Sequence, residues 1–385
     1  MSTPAGPDDR DGWDVVVVGA GPAGASAARA AALGGARTLL LERAELPRYK
    51  RCGGGLIGIS RGIVEAAGVP VAPLARDDVT VAALRLRGGR ELRHRLADPL
   101  IAMTRRADLD HALVRAAERA GATLRTGALV TGVTEDADGV TVALRGGEAL
   151  RGRVVIGADG VASRVAAHVG VRAVQQDLGL EGEFPAPDPA AWRGTVLLDF
   201  TETPGSYGWV FPKGDVLTVG VIGDRAASDG LRRDYDRLVT GLGLDRATAL
   251  HDGGHQTRVR AEDSPLATDR VLVAGDAAGW LEPWTREGIS FALRSGGAAG
   301  AAAARGTAGV RAYPAQVTRV LGPEVAAGRD FLAAFTRHPG SFHAAMGALP
   351  KGFGLFARVI AGTTSLAEQR RRPAMRAAVR VLGGA

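Results

Sequence analysis

Three glycines near the start of the chain have the spacing of a phosphate-binding turn. Gly19, Gly21 and Gly24 follow the apolar run Trp13–Val18, which ends in four consecutive valines, and precede an alanine-rich segment. A strand before such a turn and a helix after it are the context that dinucleotide binding requires. The first glycine allows a tight turn, the second lets the backbone approach a phosphate, and the third lets helix and strand pack closely. The helix N-terminus adds about half a positive charge, so we predict that a pyrophosphate binds here, beside Pro22 and Ala23.

Carboxylates follow three other apolar runs. Glu42 ends a second run, Thr38–Leu41, eighteen residues after Gly24, where it can accept hydrogen bonds from a ribose, with Arg43 beside it. Asp159 follows the run 153–156, and Asp276, preceded by Gly275, follows the run 271–274. An aspartate at such a strand end can accept from the ribityl hydroxyls of a flavin, which NAD lacks. Either aspartate alone is more often a turn or helix cap, but the pair, in this order, predicts FAD.

Composition excludes several classes of protein. With 46% hydrophobic and 23% charged residues in 385, the chain is typical of globular proteins. The formal charge of +7 is mostly arginine, and no basic stretch alternates with stacking aromatics, so we expect no nucleic-acid partner. One cysteine, Cys52, excludes an internal disulfide or a cysteine zinc cluster and suits a reducing compartment. The seven histidines show no metal-ligand spacing, and residues 1–12 do not resemble an export signal, so we predict a cytoplasmic protein without metal.

The pattern of apolar residues predicts an α/β fold. We expect a Rossmann-type FAD-binding domain at 11–170 and 263–310, interrupted by an antiparallel-sheet substrate domain at 171–262. Residues 77–97 are assigned to the first domain, with a crossing to the second as the alternative, and 311–385 should be helical. We predict a helix at 108–120, strands at 123–133, 140–144, 195–200 and 216–221, and a helix packed on the sheet at 298–304. The first two strands should form a hairpin at Asp138-Gly139.

Four motifs resemble the flavoprotein group that includes p-hydroxybenzoate hydroxylase. They are the glycine turn, Arg106 in Arg106-Ala107-Asp108-Leu109-Asp110, the Asp159 motif and the Asp276 motif. Within that group, three segments are similar to the geranylgeranyl reductase family. These are Arg51-Cys52-Gly53-Gly54-Gly55-Leu56, Tyr207-Gly208-Trp209-Val210-Phe211-Pro212-Lys213, and 275–296. The similarity covers most of 13–304.

The resemblance implies an FAD-dependent reductase that saturates carbon–carbon double bonds in an isoprenoid, geranylgeranyl-type chain. It implies FAD contacts at Val130, Gly288 and Ile289 besides the residues above. It also implies a substrate site that includes Tyr207, Trp209, Phe211, Pro212, Trp280 and Trp284. The family usually has Thr-Gly-Glu-Gly-Ile where this chain has Thr285-Arg286-Glu287-Gly288-Ile289, and Gly220 and Gly223 are spaced differently from its Gly-x-Gly. These departures concern the substrate more than the cofactor.

An isolated alkene is a poor hydride acceptor, so we hypothesise that it is first protonated to a tertiary carbocation and then takes hydride from the N5 atom of reduced flavin. Cys52, with a reference pKa of about 8.5, is the candidate acid. Its alternative is a small buried hydrophobe. Tyr207 and Trp209 occupy alternate positions of a predicted strand, where their ring faces can stabilise a cation or simply fill the sheet face.

Other functions remain open at this point. A FAD-dependent aromatic monooxygenase, a specialised-metabolite oxidoreductase and a non-enzymatic prenyl-lipid carrier are alternatives on the same fold. Only one dinucleotide fingerprint is present, so NADPH at a transient site, or a ferredoxin-like protein, would be the electron donor. The basic and apolar segment 342–380 predicts peripheral membrane contact. Head group, number of double bonds reduced and oligomeric state are not encoded in any motif.

Overall fold

A computed structural model describes residues 12–348 and 350–383 of the chain. Its strands are β1 (Trp13–Val18), β2 (Thr38–Leu41), β3 (Gly55–Leu56), β4 (Ala75–Val79), β5 (Val81–Leu86), β6 (Leu92–Arg95), β7 (Ile101–Thr104), β8 (Thr123–Arg125), β9 (Val130–Glu135), β10 (Val140–Leu144), β11 (Ala149–Gly157), β12 (Ala173–Pro185), β13 (Thr195–Phe200), β14 (Tyr207–Lys213), β15 (Val216–Asp224), β16 (His251–Arg260) and β17 (Val271–Val273). Its helices are α1 (Pro22–Leu33), α2 (Gly58–Ala66), α3 (Arg106–Arg119), α4 (Arg164–Val169), α5 (Pro189–Trp192), α6 (Ser228–Gly241), α7 (Ile289–Ala303), α8 (Gly306–Arg337), α9 (Pro339–Ala348), α10 (Pro350–Ile360), α11 (Leu366–Arg371) and α12 (Pro373–Gly383). The predicted α/β class is confirmed.

The first sheet has the strand order β8-β2-β1-β11-β10-β9, and β17 pairs with the end of β11. Strands β8, β2, β1, β11 and β17 are parallel, so their carboxyl ends meet at one edge. Backbone hydrogen bonds join the segments that follow these strands, as in Gly19 N to Leu41 O at 2.8 Å and Ala158 N to Val18 O at 2.8 Å. Ligands of open α/β sheets bind outside this edge, and the glycine turn, Glu42, Asp159 and Asp276 all follow strands that end there.

The second sheet has the order β16-β12-β15-β14-β13-β5-β6. Its pairs are antiparallel except β13 with β5. The predicted strands at 195–200 and 216–221 are confirmed, the latter extending to Asp224. Strands β5 and β6 reach this sheet from an earlier part of the chain. The domain boundaries themselves stay a prediction. A small third sheet has the order β3-β7-β4.

One sequence-based expectation is wrong and one is extended. The single strand expected at 123–133 is two strands, because the chain turns at Gly127, which has a φ of +66°, so that β8 pairs with β2 while β9 forms the predicted hairpin with β10. The alanine-rich helix α7 contacts β11 of the sheet, as expected, and packs most closely on α1. A Cβ at Gly296 would lie 2.1 Å from Ala23 O, and one at Gly300 would lie 2.0 Å from Ala27 O.

Helices α8 to α12 form the C-terminal part. Apolar side chains of α8 to α10, including Phe331, Phe335, Met346 and Phe353, pack with residues of β4, β5, β7 and β13 in one buried cluster. α8 begins at Gly306, earlier than expected, and contains Pro314 and Pro323. Within the described residues, no helix has the length and apolar character needed to cross a bilayer.

Candidate functional site

Two positions of the glycine turn leave no room for a side chain. Gly19 has a φ of +98°, and a Cβ on it would lie 2.5 Å from Ala158 O. A Cβ on Gly24 would lie 1.7 Å from Gly19 O, so helix α1 and the turn pack backbone to backbone. A Cβ on Gly21, in contrast, would have Arg48 Nη2 as its nearest neighbour, at 4.0 Å. The middle glycine therefore faces open space at the N-terminus of α1, where a phosphate can approach the backbone.

Glu42 is buried and connects the turn to the rest of the site. Its Oε2 accepts from Ala20 N at 2.9 Å and from Arg48 Nη2 at 3.2 Å, and its Oε1 accepts from Ala44 N at 3.2 Å. Arg48 also donates to Asp110 at 3.0 Å. A carboxylate has about four lone-pair sites, so Glu42 holds the turn in shape and keeps capacity for one more donor such as a ribose hydroxyl.

The Asp276 loop lies against the glycine turn. Gly275 has a φ of +57°, and a Cβ on it would lie 2.8 Å from the Cβ of Ala23. Its N–H donates to Ser295 Oγ at 2.9 Å. Burial raises the pKa of Asp276, while Lys50, Arg106 and Arg258 oppose the rise. The motifs that predicted FAD, more than 250 residues apart (276 − 19 = 257), are thus neighbours.

Asp159 has a local role as well as a place in the site. Its carboxylate accepts from the Ser163 hydroxyl and from Arg164 N, the latter at 2.8 Å. Burial raises its pKa, and these donors oppose the rise. Both oxygens therefore cap the turn before α4, which is the structural role that a lone aspartate was expected to have, although the residue still faces the cavity described next.

One cavity of about 750 Å³ joins the nucleotide edge of the first sheet to the second sheet and the C-terminal helices. Most of the residues singled out in the sequence line it. They are Gly19, Gly21, Pro22, Ala23, Glu42, Arg43, Cys52, Arg106, Val130, Asp159, Tyr207, Trp209, Phe211, Asp276, Trp284, Gly288 and Ile289. Its far end is apolar, with walls from β13, α8 and α10 that include Val196, Leu198, Phe200, Phe335 and Phe356.

Four residues singled out in the sequence do not line the cavity. Gly24 and Gly275 act through close backbone packing, as described above. Pro212 lies on β14 between Phe211 and Lys213, and its side chain points to the opposite face of the sheet because side chains alternate along a strand. Trp280 is 1% exposed and packs under the guanidinium of Arg260, whose Cζ is 4.8 Å from the ring centroid. The expectation that Pro212 and Trp280 contact substrate is corrected accordingly.

Three aromatic rings of β14 form one wall of the cavity. The ring centroids of Tyr207 and Trp209 are 6.2 Å apart, and those of Trp209 and Phe211 are 6.1 Å apart. A Cβ on Gly53 would lie 2.9 Å from Phe211 Cε2, so the segment that carries Cys52 packs directly on this wall. The alternate spacing expected from the sequence thus places all three rings and the cysteine segment together.

Positive charge surrounds the cysteine segment. The pKa of Arg106 is raised, because burial, which lowers it, is outweighed by the effects of Asp110 and of the Cys52 side chain. Arg106 Nε lies 2.8 Å from Asp110 Oδ1. Lys50 Nζ lies 3.3 Å from both ring nitrogens of His255. Burial and the nearby cations Lys50, Arg106 and Arg51 lower the pKa of His255 to about 4, so its ring is neutral near pH 7.

Arg286, which replaces the glycine usual in the resembled family, lies at the substrate side of the flavin region. Its φ is +55°, a left-handed conformation that glycine adopts without strain. Its guanidinium is 3% exposed, contacts Asp177, donates to Trp284 O at 2.9 Å and lies over the ring of Tyr207. The Tyr207 hydroxyl in turn donates to Thr285 O. The arginine therefore is part of the cavity wall and is already paired.

Sequence reasoning missed the acidic residues of β12. Asp177, Gly179, Glu181 and Glu183 alternate along this strand and share a face, and Gly179 and Glu181 line the cavity. Glu181 is 4% exposed, and burial is the main reason that its pKa is raised to about 7. An alternating run with acids on one face of a sheet is a recognisable signal, but nothing in the sequence shows that this face is the buried one.

These residues fit an FAD molecule. The open backbone above Gly21 suits a pyrophosphate, and Glu42 retains capacity for a ribose. Asp276 lines the same cavity, where its carboxylate can accept from a hydroxyl. The cavity then continues past these groups into the aromatic and apolar walls, which leaves space for a second, apolar molecule beside the ring system.

Comparison with known proteins supports this assignment. Residues 12–309 match the family model described as an FAD binding domain. The digeranylgeranylglycerophospholipid reductase of Methanocaldococcus jannaschii is 30% identical over 77% of this chain and 78% of its own length. The geranylgeranyl diphosphate reductase of Rhodobacter capsulatus is 31% identical over 74% and 73%, respectively. The crystal structure of a geranylgeranyl bacteriochlorophyll reductase-like protein from Thermoplasma acidophilum matches 96% of both chains with a TM-score of 0.74 at 21% identity, which shows a common fold.

Proposed function

Since the chain belongs to the geranylgeranyl reductase family of FAD-dependent oxidoreductases, we propose that it saturates carbon–carbon double bonds of an isoprenoid chain. The observation that carries this proposal is the continuity of the cavity. The same space that adjoins Gly21 and Asp276 extends to apolar walls such as Leu198 and Phe356. A prenyl chain is apolar along its whole length and gains about 25 cal/mol for each Å² removed from water.

The proposed roles follow from the cavity walls. Gly19, Gly21, Glu42 and Asp276 hold the cofactor, with Arg43, Arg106, Val130, Gly288 and Ile289 beside it. Bound FAD, once reduced, supplies a hydride. Tyr207, Trp209 and Phe211 hold the alkene and present ring faces that stabilise positive charge on it. Trp284, which lies between the flavin region and the apolar end, contacts the chain.

Cys52 is proposed to contribute to turnover at the junction of the two regions. Its side chain interacts with Arg106, its carbonyl accepts from Lys213 Nζ at 3.2 Å, and its backbone N–H faces the Glu181 carboxylate. Lys213 is itself 2% exposed and paired with Glu183 at 3.3 Å. The position of Cys52 is therefore fixed from three sides.

The head group and the electron donor are further parts of the proposal. One relative is named for a prenylated glycerophospholipid and the other for a prenyl diphosphate, so both kinds of lipid are candidate substrates. NADPH or a ferredoxin-like protein is the proposed donor. Peripheral membrane contact through the basic and apolar segment 342–380 is proposed because a prenyl lipid resides in a bilayer.

Anaerobic reoxidation of the flavin tests this function. Photoreduced protein mixed with geranylgeranyl diphosphate, without oxygen, should regain the absorbance of oxidised flavin. A protein that stays reduced with every prenyl lipid, but hydroxylates an aromatic compound when oxygen is added, would instead be a monooxygenase. A purified protein without flavin absorbance would favour a prenyl-lipid carrier.

A further inference from the structure

Saturating one double bond requires a proton as well as a hydride, and the proposed function leaves the source of that proton open. Such a residue must face the substrate, exchange a proton near neutral pH and be sheltered from bulk water. Among the titratable residues that line the cavity, Glu181 meets these conditions on geometry.

The carboxyl group of Glu181 is buried with one oxygen free. The residue is 4% exposed and lines the cavity, and its Oε1 makes no hydrogen bond to any residue in the described ranges. A buried polar atom without a partner is costly, and a catalytic role is one reason for which such an atom is retained. The carboxyl group therefore lies at the wall of the cavity, and its Oε1 has no protein partner among the described residues.

The register of the second sheet places Glu181 in line with the aromatic wall. Glu181 on β12 is opposite Gly220 on β15, and Gly220 is opposite Trp209 on β14. A Cβ on Gly220 would lie only 2.3 Å from Trp209 Cζ2, so the indole occupies the space above this glycine. The row Trp209-Gly220-Glu181 crosses three neighbouring strands. Because its middle residue is a glycine, no side chain of the row separates the indole from the carboxyl group.

The charges around Glu181 keep its proton exchangeable. Burial raises its pKa to about 7 and neighbouring Glu183 adds to the rise, while Lys213, the Cys52 N–H and Arg51 lower it. The hydroxyls of Tyr49 and Tyr235 also face this charge. Protonated and ionised forms are consequently both present near neutral pH, which is the condition for an efficient general acid.

We propose that Glu181 is the proton donor of the substrate cavity, an inference that rests on the proposed function. The π electrons of the alkene form a new C–H bond with the carboxyl proton of Glu181, and the residue becomes a carboxylate. The second alkene carbon takes a hydride, whose two electrons come from reduced FAD. The carboxylate then regains a proton from water, so each double bond consumes one proton from water and one hydride, which carries the two electrons.

The variant Glu181→Gln tests the donor directly, because the amide keeps the shape and has no acidic proton. In anaerobic single turnovers of photoreduced enzyme with geranylgeranyl diphosphate, we expect it to lower the rate constant about a hundredfold. Its flavin content should equal that of the wild type. The wild-type rate should fall above about pH 7, and this decline should be absent from the residual rate of Glu181→Gln.

Glu183→Gln is the matched control on the same strand and face. Removing this negative charge should move the decline in rate to lower pH, since Glu183 raises the pKa of Glu181. Infrared difference spectra of the oxidised enzyme without substrate give a readout independent of activity. The carbonyl band of a protonated carboxyl group should titrate near pH 7 in the wild type, shift to lower pH in Glu183→Gln and be missing in Glu181→Gln.

The outcomes separate the two proposals. A wild type that reduces geranylgeranyl diphosphate, together with a Glu181→Gln enzyme of about the same rate, overturns the donor and leaves the function intact. A carboxyl band that titrates unchanged in Glu181→Gln overturns it as well. A wild type that reduces no prenyl substrate overturns the proposed function itself.

Discussion

Asp177 and Arg286 form an ion pair inside the protein, with Asp177 Oδ1 3.3 Å from Arg286 Nη2 and side chains 1% and 3% exposed. The amide of Gln175 also donates to Asp177 Oδ2 at 2.7 Å. Strand β12 is thereby joined to the loop that precedes α7, across the boundary between the second sheet and the flavin region. The backbone conformation of Arg286 directs its side chain into the protein interior, and the Asp177 carboxylate compensates the guanidinium charge there.

Asp177→Asn should destabilise the protein by about 3–5 kcal/mol, because it leaves a buried guanidinium without a counter-charge. Arg286→Gly should cost less, since glycine relieves about 1–2 kcal/mol of left-handed strain. The double variant should be more stable than the sum of the two single changes predicts. Chemical denaturation of the FAD-loaded protein measures these differences. Asp136→Asn, in the exposed pair with Arg151, is the control and should change little; equal effects of Asp177→Asn and this control would contradict the account.

Gly21→Ala should fold normally but bind FAD at least about tenfold more weakly. The protein leaves room for the added methyl group, whose nearest neighbour is at 4.0 Å, and the φ of Gly21 is −78°, which alanine adopts. The methyl group would instead occupy the space through which a pyrophosphate approaches the backbone. Fluorescence titration of apoprotein with FAD measures the affinity. Gly62→Ala, on α2 with no atom within 4 Å of the new Cβ, is the control, and unchanged affinity in Gly21→Ala would show that the phosphate binds elsewhere.

Cys52→Ala should lower the rate of alkene reduction roughly tenfold, because the contact with Arg106 is lost while the backbone N–H that faces Glu181 remains. Flavin binding should be unaffected. Cys52→Ser, which keeps a hydrogen-bonding group of similar size, should retain more activity than the alanine variant. Stopped-flow reoxidation of the reduced flavin measures these rates. Full activity of Cys52→Ala would place the cysteine outside the mechanism.

Glu181→Gln should become more stable relative to the wild type as the pH rises. The pKa of Glu181 is raised from 4.5 to about 7 on folding, so between these values the native state binds more protons than the unfolded state. Wild-type stability therefore falls across that window, by roughly 3 kcal/mol in total. The glutamine variant lacks this loss, and denaturation of both proteins at about pH 4 and about pH 8 measures the difference. A difference that is independent of pH would mean that the pKa of Glu181 is not raised.

Much of the flavin site follows from sequence because its parts are local. The run Trp13–Val18 has the pattern of a buried strand. Gly19 and Gly24 stand where a side chain would clash, and Gly21 stands where the backbone is open to a ligand. Glu42 and Asp276 were located by the strand ends that precede them, since parallel strands bring such ends to a common edge. The alternating rings of β14 were likewise visible as a period of two.

The rest depends on contacts between distant segments. Glu181 has no local motif, and its burial arises from β14, β15 and the Cys52 segment, which lie at least 26 residues away (207 − 181 = 26). Trp280 stands next to the Asp276 loop in sequence, yet it faces Arg260 rather than the cavity. The strand expected at 123–133 is divided at Gly127, where a positive φ turns the chain between β8, which pairs with β2, and β9, which pairs with β10.

The mass of the lipid product tests the central claim most directly. Photoreduced protein incubated without oxygen with geranylgeranyl diphosphate, or with digeranylgeranylglycerophospholipid, should yield a lipid whose mass has increased by two hydrogens for each double bond reduced. With enzyme photoreduced in deuterated water, both hydrogens of each pair should be deuterium, because the proton donor and the N5–H of reduced flavin both exchange with water. Recovery of both lipids with unchanged mass, from protein that contains a full complement of reduced FAD, would contradict the account.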